Sequence, residues 1–271
     1  MKKIFCVIVL VTTIACKSNY SVRKTNINID AYTNSKFRNG LIISGVNSEN
    51  NFYSLFYTEI VDNNNLSKLQ KFKVENREKF LNISNGVFLP ISNEFYFTSN
   101  NSKTGNLQLY KSDLNNLELT NIKLVKLELE KLSYGHSTFS ENGLMMVLAS
   151  MENSKVLLKL YTRDNLTAEW KFHRNLDELN NSKTNFHPVL TKDLTIFYSQ
   201  KNKNKIDLYY SAYRPNLKHW DKPKKIKGII DSREKINYIL INENSGFFTS
   251  KESKRIKEEE IDEIYFFKIE K

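Results

Sequence analysis

His187-Pro188-Val189-Leu190-Thr191-Lys192-Asp193-Leu194-Thr195-Ile196-Phe197-Tyr198-Ser199 reads as a short extended run, a polar turn and a β-rich run that ends in a small hydroxyl. The stretch His136-Ser137-Thr138-Phe139-Ser140-Glu141-Asn142-Gly143-Leu144-Met145-Met146-Val147-Leu148-Ala149-Ser150 follows the same plan. Self-similarity is read before any single residue, because a unit that cannot bury its own faces has to stack on its neighbours. The likeness continues downstream. Lys159-Leu160-Tyr161-Thr162 answers Asp207-Leu208-Tyr209-Tyr210-Ser211, and both Trp170 with Trp220 and Ser182 with Ser232 are spaced by 50.

Three weaker units stand in phase with these two. Glu94-Phe95-Tyr96-Phe97-Thr98-Ser99 leads to Leu107-Gln108-Leu109-Tyr110-Lys111. Gly40-Leu41-Ile42-Ile43-Ser44 leads to Ser54-Leu55-Phe56-Tyr57-Thr58, and Gly246-Phe247-Phe248-Thr249-Ser250 to Asp262-Glu263-Ile264-Tyr265-Phe266. The marker aromatics Phe56, Tyr110, Tyr161, Tyr209 and Tyr265 are spaced by 54, 51, 48 and 56 residues. In the clearest unit, four strands are expected at about 186–191, 194–200, 206–213 and 222–228. They are rich in β-branched and aromatic residues and are divided by Asn, Asp, Lys and Pro. Four-stranded units at this period predict an all-β fold, a β-propeller of about five blades. The last unit ends after its third strand. The alternating run Thr25-Asn26-Ile27-Asn28-Ile29-Asp30 is expected to supply the missing fourth strand, closing the ring and covering an exposed edge.

His187-Pro188, Thr191-Lys192-Asp193, Ile196-Phe197-Tyr198-Ser199, Asp207-Leu208-Tyr209 and Trp220-Asp221-Lys222-Pro223 resemble the WD40-like β-propeller repeat. That repeat occurs in the periplasmic propeller of the Tol system and in envelope lipoproteins of Bacteroidota. The likeness is good over residues 134–232 and faint elsewhere. Leu194 stands where the repeat has Gly, whereas the third unit keeps Asn142-Gly143.

The chain opens with Lys2-Lys3, an apolar run over residues 4–15, and the junction Thr13-Ile14-Ala15-Cys16. This resembles a bacterial lipoprotein signal peptide, in which the cysteine receives a diacylglyceryl group and becomes the first mature residue. Two other readings stand beside it. An ordinary cleaved signal needs no cysteine, and the run falls well short of the roughly 20 apolar residues of a membrane span. Cys6 departs with the leader, so Cys16 is the single thiol left and has no internal disulfide partner. The expected organisation is a signal peptide over residues 1–15, a lipidated tether over 16–23 and one propeller over 24–271. Lys17 follows the cysteine in place of the Asp that marks inner-membrane retention, and no acidic run follows. The resemblance therefore implies the periplasmic face of the outer membrane.

A net charge of +11 would favour anionic partners, but the lysines are scattered and no nucleic-acid motif or interleaved aromatic pattern accompanies them. His136 and His187 hold equivalent places in neighbouring units. Read as preceding the inner strands, they face one rim of the central channel and are the candidate ligand-binding residues. His173 and His219, beside the two tryptophans, are expected in exposed loops. Two histidines without a nearby carboxylate make a poor metal site. No Gly-x-Ser-x-Gly, phosphate-binding loop, Cys-x-x-Cys or calcium loop is present, so no cofactor is expected. Ser21-x-x-Lys24 and Ser232-x-x-Lys235 open no evident helix. Asp177-Glu178 and Glu258-Glu259-Glu260 read as solvated acidic runs, and Asn82-Ile83-Ser84 and Asn165-Leu166-Thr167 as turns. The expectation is a non-enzymatic, lipid-anchored scaffold presenting blade loops to another cell-envelope protein. The alternative is a module binding a glycan or peptidoglycan fragment at the channel mouth, helped by the positive charge.

Overall fold

A computed structural model describes residues 19–46, 51–100, 105–127, 132–180, 183–203, 205–227, 235–253 and 260–270. The leader and Cys16 lie outside the described residues. Five antiparallel sheets follow one another along the chain. Their inner strands are Ala31–Phe37, Ile83–Leu89, Ser133–Phe139, Thr184–Leu190 and Lys235–Asn242. These strands touch one another in cyclic order, the fifth against the first, which closes a ring of five blades.

Each blade then runs outward through a second and a third strand. All five marker aromatics fall on third strands: Tyr53–Glu59, Gln108–Asn115, Lys155–Thr162, Lys205–Ser211 and Glu260–Glu270. The fourth strands are shorter. In blade four the expected strand over 222–228 is the two-residue Lys224–Lys225. Blade two also gains the outer pair Lys73–Val74, parallel to Glu118–Leu124.

The second strands show why the ring holds. Side chains alternate across a strand, and both faces of these strands are covered by a neighbouring blade. Phe95 and Phe97 enter the core between blades one and two, whereas Tyr96, between them, enters the core between blades two and three. Leu41 and Ile43 face blade five while Ile42 faces blade two. Phe247 and Phe248 divide in the same way between blades one and four. One apolar cluster thus fills each of the five gaps between blades. This is why these strands read as near-continuous apolar runs.

The closing strand is Asn19–Lys24, paired antiparallel with Glu260–Glu270 from Asn19 opposite Glu270 to Lys24 opposite Tyr265. It lies upstream of the run over 25–30 expected for that role. The later run alternates as a strand would, but it serves as the crossing from blade five to blade one. Thr25 bonds through its backbone N–H and its hydroxyl to the Ile264 carbonyl, and Ile27 is buried in the core between those blades. The Asn26 amide brackets the backbone of Leu66, giving one hydrogen bond and taking another.

Candidate functional site

Each inner strand slips its register against the second strand: between Thr33 and Ser35, Ser84 and Val87, Tyr134 and Ser137, Phe186 and Val189, and Ile236 and Ile239, the fifth slipping again between Leu240 and Asn242. Such a bulge re-aims a side chain. The residues inside the five slips include Asn34, Asn85, His136, His187 and Asn237, spaced by 51, 51, 51 and 50. Asn85, His187 and Asn237 take left-handed backbone, with φ of 56°, 53° and 55°. Asn and His adopt that conformation more readily than most side chains. Pro188 fits beside His187 because a bulge asks for no ladder N–H there.

The histidines therefore sit within the inner strands, at the waist of the channel, and not ahead of the strands at a rim. Their rings lie 5.6 Å apart between centroids. The Nδ1 of His136 stands 3.4 Å from the Asn85 Oδ1, and the ring also bonds the backbone of Asn34, two blades away. His187 packs 6.0 Å from Tyr32, which also belongs to a blade that is not its neighbour. Asn237 joins through its carbonyl, which accepts the Thr33 hydroxyl at 2.8 Å. Around this waist lie buried hydroxyls from the ends of the second strands. The Ser44 hydroxyl accepts from the Asn34 amide at 2.8 Å and from the Asn85 N–H at 3.1 Å.

Burial pushes His136 down to about 4, partly offset by its bond to the Asn34 backbone. Burial and the neighbouring His136 hold His187 well below the usual imidazole range. Both rings are neutral at ordinary pH. The waist is nevertheless short of partners: among the described residues the Nδ1 of His187, the Oδ1 of Asn34 and both amide atoms of Asn237 have none. Asn34 and Asn237 are each only 1% exposed.

A cavity opens on either side. One, of about 740 Å³, is lined by Asn34, His136, Phe88, Ile91, Lys192 and Leu240 among others. The other, of about 500 Å³, has Asn85, His136 and His187 as its floor and Tyr32, Tyr53 and Phe186 among its walls. Asn82 and Asn100 line this second mouth as well. The Asn82 Oδ1 accepts the Tyr53 N–H at 3.1 Å, and its amide donates to Asn100 at 3.2 Å. Asp30 and Asp262 stand close enough to raise the Tyr53 phenol further above its ordinary value, where burial already holds it. The Asp30 Oδ1 accepts the Asp262 N–H at 2.8 Å. Sequence reading finds the two histidines by their shared place in the repeat. It misses the three ring asparagines, Tyr32, Tyr53 and the aspartates, which only the closure of the ring brings together.

The other candidates are spent on structure. Asp177 and Glu178 open a short helix, Asp177–Asn180. Glu178 is not solvated: its carboxylate takes both Arg174 amino groups at 2.8 and 2.7 Å and the Trp220 N–H at 3.2 Å. His173 is on the strand Lys171–Asn175, and His219 pairs in the short ribbon with Tyr213 and Arg214. Ser21 lies on the closing strand, and Lys24 on the same strand pairs with Glu263 at 2.5 Å. Ser232 lies outside the described residues, as do Glu258 and Glu259. Asn165 caps a turn through the Thr167 and Ala168 N–H groups. Among the described residues no group of three or more His, Cys, Asp or Glu is placed to hold a metal ion.

No protein-family model matches the chain, and no curated relative matches it by sequence. Solved structures do match its fold. A family 117 glycoside hydrolase from Zobellia galactanivorans is 8% identical, with 93% of this chain and 90% of that one covered and a TM-score of 0.54. The Bacillus subtilis arabinanase Arb43A is 12% identical over 91% and 96%, with a TM-score of 0.54. A putative glycoside hydrolase from Bacteroides ovatus is 10% identical over 88% and 86%, with a TM-score of 0.52. A fainter likeness, at a TM-score of 0.44, reaches TolB from Acinetobacter baumannii and is too remote to argue from.

These matches show the fold, a five-bladed propeller, and they correct one expectation. The chain was expected to be non-enzymatic. Propellers matching it over most of its length are named as glycoside hydrolases, an arabinanase and a luciferin-regenerating enzyme. That expectation rested on the lack of a serine nucleophile or metal set and on reading Asp177-Glu178 and Glu258-Glu259-Glu260 as solvated acidic runs. Glycoside hydrolysis needs only two carboxyl groups at a suitable separation in space. Sequence spacing does not reveal which acidic residues the fold brings together: the Asp262 backbone N–H meets the Asp30 carboxylate from the far end of the repeat array.

Proposed function

We propose that this protein acts on carbohydrate, seating a saccharide in the mouth built by Tyr32, Tyr53, Phe186, Asn82 and Asn100 above the His136–His187 waist. The observation that carries this reading is the composition of the mouth. Aromatic faces offer apolar surface to the C–H side of a sugar ring, and fixed amides and imidazoles offer hydrogen bonds to its hydroxyls. A concave site with a few placed polar groups is what a small ligand needs. Three of the matching propellers are named for action on glycosides or arabinan, which supports the same class. A protein-docking role has no comparable feature behind it.

The test is calorimetric titration of the purified full chain with a panel of oligosaccharides, followed by assay of new reducing ends in the same samples. Saturable binding is expected, weakened at least tenfold by Tyr53→Ala. Absence of binding across the panel, or binding that Tyr53→Ala leaves intact, would overturn the reading. If reducing ends appear, Asp30→Asn and Asp262→Asn are the first variants in which they should vanish.

The location belongs to the same proposal. A lipid on Cys16 would hold the propeller at the periplasmic face of the outer membrane, with the closing strand beginning only three residues later, at Asn19. Two or three acyl chains anchor firmly where one binds only marginally. Metabolic labelling with palmitate should mark the protein, and Cys16→Ser should abolish the label and release the chain from membranes.

A further inference from the structure

We infer that the mouth takes a neutral polyhydroxylated unit, an uncharged pentose or hexose, and rejects acidic sugars. This rests on the saccharide reading above and narrows it.

Two observations carry the choice. The first is where charge is missing. The chain is strongly basic overall, at +11, yet the described residues lining the 500 Å³ mouth include no Lys, Arg, Asp or Glu. The nearest charges felt by its tyrosines are the carboxylates of Asp30 and Asp262. An anionic sugar would enter a low-dielectric cavity whose described lining holds no cation, with two carboxylates acting on its tyrosines. Burying an unpaired charge is far costlier than burying a hydrogen-bonded hydroxyl. Among the described residues, the positive charge expected to help glycan binding lies outside this lining. Peptidoglycan fragments, which carry carboxylates, fit this mouth poorly.

The second observation is what the waist lacks. The Nδ1 of His187, on the floor of this mouth, is without a partner among the described residues. A buried polar group left unpaired costs its desolvation without the return of a hydrogen bond. A hydroxyl gives and takes a hydrogen bond, so a polyol satisfies this nitrogen in either tautomer, directly or through one bridging water. A carboxylate or sulfate only accepts.

The experiment is a competition by calorimetry at pH 7 and low salt, with arabinotetraose and cellotetraose as neutral probes and tetragalacturonate as the acidic one. At least one neutral probe is expected to bind at least tenfold more tightly than the uronate. His187→Phe, which keeps a ring but removes the unpaired nitrogen, should cost the neutral probe at least tenfold. Met151 is 51% exposed on the same lining. Met151→Lys supplies the missing cation and should raise uronate affinity at least tenfold. Uronate binding as tight as neutral binding in the native chain sinks this inference and leaves the saccharide reading standing. So does His187→Phe without effect on a neutral probe that binds. Failure of every probe to bind sinks both.

Discussion

Leu194 carries a visible penalty. The hairpin turns between first and second strands place Gly143 at φ 68° in blade three and Leu194 at φ 61° in blade four. A side chain in left-handed backbone costs roughly 1–2 kcal/mol, and glycine avoids it. Leu194→Gly should raise stability by about 1 kcal/mol, read from the urea midpoint. The Leu194 carbonyl that accepts the Trp220 Nε1–H at 2.8 Å is retained in that variant. His136 makes a second prediction. Its folded value of about 4 lies below the unfolded 6.5, so between those values the unfolded chain takes up a proton that the native chain refuses. Stability is complete above 6.5 and falls with acidification towards 4, by about 3 kcal/mol from this residue. His187 adds in the same direction. His136→Asn, which matches Asn85 in blade two, should flatten that slope in melts recorded from pH 7 to 4. The turn anomaly was legible in the sequence because a neighbouring repeat keeps the glycine. The ring of polar residues was half legible: two histidines stand out, but asparagine is so common in this chain that three more at the same phase do not.

At the scale of elements, blades two and three are joined by more than apolar packing. Glu94, at the start of a second strand, accepts from Arg163 at 3.0 Å and pairs with Lys111 at 2.9 Å. The Arg163 side chain is 1% exposed; its guanidinium lies 4.5 Å over the Trp170 ring, and its Nε donates to the Gly143 carbonyl. Burial would raise the Glu94 carboxyl, but Ser92, Lys111 and Arg163 outweigh it and hold the group below its ordinary value. Removing one partner of a buried pair strands the other, so Arg163→Ala should destabilise by roughly 3–5 kcal/mol in chemical denaturation. Arg163→Met with Glu94→Gln should cost much less. Another element-level device is Asn180, whose amide accepts the Leu158 N–H at 2.8 Å and donates to the Leu158 carbonyl at 3.0 Å. One side chain thus continues the pairing of the third strand just past the fourth strand of blade three, Lys171–Asn175. The second and third strands were readable because burial on two faces imposes long apolar runs and a fixed place for each marker aromatic. The fourth strands were not: a strand such as Lys224–Lys225 is too short to carry a period. The closing strand was displaced for a related reason. Asn-Tyr-Ser-Val-Arg-Lys looks like polar tether, and pairing with Glu260–Glu270 defines it more than its own pattern does.

The molecule as a whole depends on that pairing. Without Asn19–Lys24, the third strand of blade five would present a long row of unpaired backbone groups, a ready template for another chain. A chain lacking residues 1–24 should therefore self-associate, seen as a concentration-dependent shift in light scattering, while retaining β-rich circular dichroism. Intact five-fold closure in that variant, with a monomeric scattering mass, would contradict the account. The clasp also dictates a schedule. Its first half, Asn19–Lys24, is made before the other strands of every blade and its second, Glu260–Glu270, after them, so no blade order can shut the circle early. A prematurely terminated polypeptide keeps an unsealed seam that proteases can find. The join between these two strands thus acts as an inspection stamp, issued only once translation has passed the fifth blade.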